Sequence, residues 1–521
     1  MSPKSIGRSH LLFRWCTSLA IVSFTLLAAT CVYYAATNKA TFLLQIRMQE
    51  TKSHTVWPSP QFWKNLTERA TESPDNCAFA KCPIDRAIED VTKSSYNHQS
   101  DPQNQCPFYF QYIHEDLAPW NKHSRENQSV TFRVSRDTLQ KAASRANFRI
   151  VIRKGRLYVE AFAPCFQTRA IFTIWGMLQL LKFYPDLVPD VDMFFSCGDT
   201  PRIQKNEYSE TGSLPPPPIF SYCTTPTHFD IPFPDWTFWG WPEVNIMAWD
   251  TEFYSILKGA NDLLWEERNP TAFWRGNTDT GTAVRKALQG CNGPQHGATI
   301  IHQDWFAERM ANFKYSKLAD QCKHRYKIYA EGWGWSVSLK YIMACDSPAL
   351  IIDPVFNDFY SRGLIPLKHY WPLKRENLCH SIKFATEWGN NNTIAAEVIG
   401  RTGRQYIAKD LSMKHVYDYM LHLLIEYSKV LDFEPIPGDN MKELCTEAFL
   451  CQAPKEEKMF YRSSMVSEMS QEAPCFLAQR EENLIYERQA KKFNITRLVS
   501  EAEDRGEGIN LLRYRSDLLN T

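Results

Sequence analysis

No excess of charge of either sign runs through this chain. Lys and Arg number 59 against 58 Asp and Glu, leaving a formal charge of +1. A general nucleic-acid binder needs a basic surplus to displace counterions from phosphates, so that class is excluded. There is no Walker loop, no Gly-x-Ser-x-Gly elbow, no G-x-G-x-x-G fingerprint and no internal repeat. Cysteines and histidines nowhere cluster at zinc spacing, and His228, His302 and His369 are dispersed. Asp190-Val191-Asp192 has the form of a metal-holding Asp-x-Asp, but it stands before the apolar Met193-Phe194-Phe195 instead of after it. No metal site is expected.

Charge is also missing from Trp15 to Ala36, which is apolar enough to cross a bilayer. Lys4, Arg8 and Arg14 precede this segment and only Lys39 follows closely, so the N-terminus is expected in the cytosol and the rest in a lumen. A cleaved signal peptide is the rival, with a usually shorter apolar region. Cysteine usage fits an oxidising compartment: of 15 cysteines, Cys16 and Cys31 lie in the apolar segment, and the odd number beyond it leaves one unpaired or bonded to another chain. Glycosylation triplets at Asn65, Asn127, Asn391 and Asn494 all fall on the lumenal side.

With 521 residues, two or three domains are expected. Residues 37–100 are polar and proline-dotted, a stem in which Cys77 and Cys82 could close a small loop. "RIVIRKGRLYVE" (149–160) reads as a hairpin turning at Lys154-Gly155, 170–184 as a helix and 191–197 as a buried strand. A helix around 250–268 separates two lobes. Beyond it, "TAFWRGN" (271–277), "YKIYAEG" (326–332) and "PALIID" (348–353) read as strands alternating with helices at 283–288 and 336–344. That order predicts parallel pairing and an α/β fold. Val416, Tyr419, Met420, Leu423, Leu424, Tyr427 and Leu431 form one face of a structural helix.

In a parallel sheet, ligands bind beyond the carboxyl ends of the strands. Gly332 and Gly334, set among Trp333 and Trp335, occupy such an end, and a helix follows. Unpaired amides at a helix start suit a phosphate, and glycine removes the Cβ atoms that would hold it off. Ser336 is a candidate N-cap, Ser338 a further hydroxyl. Arg275-Gly276-Asn277, with Arg285 in the next helix, offers a second cationic turn. Asp199, just past the first lobe's buried strand, is a candidate general base. Each has a plain structural alternative: a tight turn, a surface ion pair, a cap.

Taken in order, these segments resemble one family. "CPFYFQYIHEDLAPW" (106–120), "RLYVEAFAPCFQTR" (156–169), "FFSCGDTP" (194–201), "FDIPFPDWTFWGWPE" (229–243), "AFWRGNTDTG" (272–281) and the long run 326–373 look like glycosyltransferase family 90, the Rumi-like protein O-glucosyltransferases and capsule-associated proteins. The Trp-Ser-Val-Ser-x-Lys-Tyr form is similar to its land-plant branch. The resemblance implies a GT-B fold of two Rossmann-like lobes facing a cleft, and inverting transfer from a UDP-sugar without metal or other cofactor. It places the general base at Asp199 and the donor turn at Arg275, Gly276 and Asn277, where the family has serine. Arg285 approximates a family arginine with a two-residue shift. A second family arginine falls on Ser338, a loss for which Lys340 could supply the charge. Phe238 and Trp239 match a segment on the acceptor side, with Trp241 beside them.

The expectation is therefore a lumenal inverting O-glycosyltransferase. It moves a sugar, glucose or xylose first, from a UDP-sugar to a protein or polysaccharide hydroxyl. Its expected parts are a cytoplasmic tail (1–14), a signal anchor (15–36), a stem (37–100), an acceptor-side lobe (101–249), a donor lobe (250–433) and a partly helical tail (434–521). The chain ends Leu-Leu-Asn-Thr without a retrieval signal, which favours a single-pass type II protein of the Golgi membrane over the endoplasmic reticulum. The competing readings are a non-catalytic sugar-binding scaffold and a glycoside hydrolase using Glu243 and Asp235.

Overall fold

The computed structural model describes Cys82 and residues 104–121, 133–208, 215–281 and 283–509. The expected anchor, most of the stem, Asn65 and Asn127 lie outside these. Among the described residues, no helix is long and apolar enough to cross a membrane.

The architecture is mixed α/β with two sheets. In the first, β1 (Phe148–Arg153) and β2 (Arg156–Ala161) form the expected hairpin, paired Phe148↔Ala161 to Arg153↔Arg156. Lys154 and Gly155 both take positive φ (49° and 70°), the twist a two-residue hairpin turn requires. β3 (Val191–Phe195), buried at every position, runs antiparallel to β1, followed by parallel β4 (Phe220–Ser221) and β5 (Ile231–Pro232). Asp190 and Asp192, the metal-like pair, are bonded to Arg153 and Arg149, each at 2.7 Å.

The second sheet is wholly parallel: β6 (Asn269–Gly276), β7 (Ala298–His302), β8 (His324–Tyr329), β9 (Ala349–Ile352) and β10 (Trp371–Leu373), in spatial order β7-β6-β8-β9-β10. The order reverses between β6 and β8. At such a switch point the connections leave in opposite directions and open a crevice beyond the strand ends.

Around the sheets lie α1 (Arg169–Phe183), α2 (Trp249–Asn261), α3 (Ala283–Gln289), α4 (Ser338–Met343), α5 (Leu378–Asn391), α6 (Thr393–Asp410), α7 (Met413–Val430), α8 (Lys455–Ser463) and α9 (Glu482–Arg505). The apolar stripe of α7 packs on the first sheet, where Tyr427 Oη donates to the Asp192 carbonyl and Tyr419 Oη to Pro232. The chain thus returns to its first half before residue 433. The charged tail is integral to both halves. β11 (Lys442–Leu444) adds to β2, and Tyr461 of α8 stacks on Phe172. α9 buries Ile495, Val499 and Ala502 against the second sheet's helices. Cys82 pairs with Cys445 across the fold, not with Cys77, and Cys106 pairs with Cys475.

Candidate active site

Two loops leave the switch point. One follows β6 through Asn277, whose side chain accepts the Asp279 amide. The other follows β8 through Glu331 to Ser336. Arg285, on α3, laces them together: Nε donates to the Glu331 carbonyl (3.0 Å) and Nη1 to Asn277 (3.2 Å). Its guanidinium lies 5.7 Å from the Trp274 ring. Burial pushes Arg285 below the ordinary arginine value, with the negative charge of Asp199 among the groups opposing it. The Glu331 carboxylate is 2% exposed, takes the Val355 and Phe356 amides and pairs with Arg375 at 2.9 Å.

The two glycines have structural neighbours. A Cβ on Gly334 would lie 1.7 Å from the carbonyl oxygen of Asp199. Gly332 packs under Gly281, which holds φ +97° and whose own Cβ would meet the Gly332 backbone at 2.6 Å. What lies against the Gly334 backbone is the first half's Asp199 loop. Trp335 continues that contact, set among Tyr222 and Trp236 at 5.6 and 6.2 Å between ring centres.

Asp199 emerges four residues past β3. Its side chain is 43% exposed and Oδ1 receives a 3.0 Å hydrogen bond from Arg169 Nη1. A disulfide, Cys165–Cys197, ties the segment before α1 to the Asp199 loop. The Asp199 carbonyl also lies 3.4 Å from Sγ of Cys223, a buried free thiol. Within "CFQTR" nothing in the sequence assigns Arg169 a role. Its signal is faint: one cation at the start of a mostly apolar helix that also ends on a cation, Lys182.

Several expected site residues are elsewhere. Phe238 and Trp239 are fully buried. Trp239 presses on Gly176 and donates to Tyr417 Oη at 3.2 Å, so both rings are core and neither lines a path for an acceptor. Lys340 is also fully buried; Nζ donates to Thr237 (2.6 Å) beside Asp235 (3.6 Å) and faces the Phe238 ring. It cannot replace a phosphate-binding arginine without leaving that pocket. Arg275 gives its terminal nitrogens to the carbonyls of Tyr315 and Lys317. Alternation along β6 sends it to the face opposite Trp274 and Arg285. Gly276 is required beside the Trp274 ring, which a Cβ would meet at 2.7 Å.

α4 begins at Ser338, later than expected, and its N-cap is Val337 without a side-chain cap. Ser336 Oγ and Ser338 Oγ bond each other at 2.9 Å, both partly exposed at the helix start. Trp241 is half-buried and bonded to Gln167, while Phe166 (65%) and Trp333 (59%) are the exposed aromatics beside Arg169 and Gly334. Asn391, at the end of α5, and Asn494, on α9, are exposed. Glu243 is taken by the Thr168 amide and hydroxyl and Asp235 by Thr237. Both are buried, so neither serves as a hydrolytic carboxylate.

The profile of glycosyl transferase family 90 matches residues 101–503. Protein O-glucosyltransferase 1 of Homo sapiens is 26% identical over 362 residues, covering 66% of this chain and 86% of that protein. The Rattus norvegicus protein of the same name is 25% identical over 359 residues with the same shares. O-glucosyltransferase rumi of Drosophila melanogaster is 25% identical over 371 residues, covering 69% and 86%.

Proposed function

The chain belongs to glycosyl transferase family 90 and is a glycosyltransferase; from that premise we propose an inverting O-glycosyl transfer from a UDP-sugar, with Asp199 as general base. The observation that carries this reading is a half-exposed carboxylate set by its own backbone against Gly334, at the switch point of a parallel sheet. Two sheet-centred halves meeting there support a GT-B arrangement, with the acceptor entering from the first half and the donor held by the second.

In this mechanism the donor diphosphate lies along the loop from Gly332 to Ser336. Arg285 supplies the positive charge, and the Ser336 and Ser338 hydroxyls supply donors. Arg275, Gly276 and Asn277 shape the neighbouring loop. The free Asp199 oxygen takes the proton of the acceptor hydroxyl. The acceptor oxygen bonds to the anomeric carbon from the face opposite the diphosphate, the carbon–phosphate-oxygen bond breaks, and UDP leaves with the electron pair. Developing charge on UDP is met by fixed dipoles and guanidinium, which is where the largest stabilisation normally arises. The roles given to these residues need no metal. Trp333, Phe166 and Trp241 offer ring faces to the acceptor.

Glucose and xylose are the first donors to try, with protein and polysaccharide acceptors both open. Five disulfides among the described residues support an oxidising lumen, as expected of a Golgi-anchored type II protein. The test is a panel of UDP-sugars scored by UDP release and by rise in melting temperature, run on the unmodified protein and on Asp199→Asn. Loss of a placed base costs about 10²–10⁴-fold. Turnover should collapse in the variant while the UDP-induced shift survives. A variant with normal turnover refutes the assignment.

A further inference from the structure

We infer that Arg169 is the positioning residue of the general base: it holds one oxygen of Asp199 so that the other is presented to the acceptor. The inference rests on the reading of Asp199 above. Arg169 is 7% exposed, lying with its guanidinium 4.6 Å from the centre of the Trp236 ring and 5.2 Å from Phe166. Nη1 donates both to Asp199 Oδ1 (3.0 Å) and to the Cys197 carbonyl (3.2 Å). Among the described residues Asp199 Oδ2 has no partner. One oxygen is fixed and the other is free at a 43% exposed position.

The surroundings of this cation are costly unless they serve something. Burying a charge demands full pairing, and each unmade bond of a buried donor carries a penalty. Yet Arg169 Nε is buried without a partner; the buried Glu243 carboxylate, bonded to Thr168, lends Arg169 only its field, and the carboxylate that Arg169 bonds directly, Asp199, is itself open to solvent. For stability alone, an apolar residue stacked on Trp236 would do as well. What the guanidinium adds is direction. The flat fork is buried against the Trp236 ring and bonded to the Cys197 carbonyl, which limits its swing. The Cys165–Cys197 bridge ties its approach to the segment that carries Asp199. The Asp199 backbone is fixed separately, by Gly334 and Cys223. Backbone and side chain of the base are therefore constrained by different elements, and among the described residues Arg169 is the group bonded to the carboxylate.

The experiment compares Arg169→Gln, Arg169→Lys and Asp199→Asn in the full-length protein, with UDP release from UDP-glucose and UDP-xylose as readout. Misplacing a reacting group by about 1 Å can cost 10²-fold. Arg169→Gln should lose about 10- to 100-fold in kcat, with the donor KM and UDP affinity within about twofold. Added guanidinium ion should restore part of the loss to Arg169→Gln and none to Asp199→Asn. Arg169→Lys keeps the charge without the fork and should fall between, which also serves if the glutamine variant fails to fold. Normal kcat in the folded variants, with Asp199→Asn inactive, overturns the role of Arg169 and spares the base. Normal turnover in Asp199→Asn overturns both.

Discussion

Gly334→Ala separates two explanations of the glycine pair. If Gly334 exists to admit a donor phosphate, an added methyl should weaken UDP binding and leave the base alone. The structure gives a different result. The new Cβ would lie 1.7 Å from the Asp199 carbonyl oxygen. Non-bonded carbon and oxygen settle near 3.5 Å, so the Asp199 loop or the Gly334 loop must retreat by roughly 1.5 Å or more. The Cys165–Cys197 disulfide and the Trp335 packing resist on opposite sides. Overpacking of this kind costs about 1–3 kcal/mol of stability. Displacing the base by that distance should cost at least about 10²-fold in kcat, equivalent to about 2.7 kcal/mol of barrier. Gly332→Ala is the contrast: its Cβ meets the Arg285 guanidinium, at 3.2 Å, and not the Asp199 loop, so it should weaken UDP binding and leave the base in place. Steady-state UDP release gives kcat and KM, and thermal shift with UDP gives donor affinity. A Gly334→Ala enzyme with normal kcat and weakened UDP binding would refute this account of the contact.

Lys340→Met removes one member of a buried pair and leaves Asp235 uncompensated, so it should cost about 3 kcal/mol in urea unfolding. Its UDP affinity should stay within about twofold, and a selective loss of UDP binding would return Lys340 to the donor site. Trp239→Ala should lose about 3–5 kcal/mol as a core cavity, whereas Trp333→Ala should change stability by less than about 0.5 kcal/mol and raise the acceptor KM severalfold. Acid should weaken the fold through His369. Its Nδ1 accepts the Ile365 amide at 3.0 Å, and burial, reinforced by Lys368, Arg488 and Lys492, pushes the ring down to about 3. Because the folded value lies below the unfolded one, this contribution is complete above about pH 6.5 and is lost as pH falls towards 3, at up to about 1.4 kcal/mol per unit. Buried Asp358, pushed up to about 6, acts in the opposite sense. The readout is therefore the difference in urea stability between unmodified protein and His369→Gln at pH 7 and pH 4.5, which should shrink in acid.

Local order was legible because its signals are local. Alternating apolar residues and a Lys-Gly turn specify the β1–β2 hairpin over a dozen positions. The strand–helix alternation beyond residue 269 specifies a parallel sheet. β7 and β10 were missed: each is short, and "ATIIH" and "WPL" carry too few positions for a period to emerge. Asp199 stands out in the sequence as a carboxylate just beyond a buried strand, and folding leaves it half-exposed beside Gly334. Ordered motifs were enough to identify the family.

Which side of an aromatic or a cation meets which neighbour is decided across hundreds of residues. The family resemblance puts Phe238 and Trp239 on the acceptor side. Only folding shows that Phe238 and Trp239 close the core against α1 and α7 and that Lys340 is spent on the same cluster. As a sequence the tail is only charged and partly helical, yet disulfides spanning 363 and 369 positions and the buried face of α9 make it part of both halves. The glycine pair marked a close approach, since absence of a Cβ is visible in one dimension. What approaches, a carbonyl from the opposite half, is a fact of three.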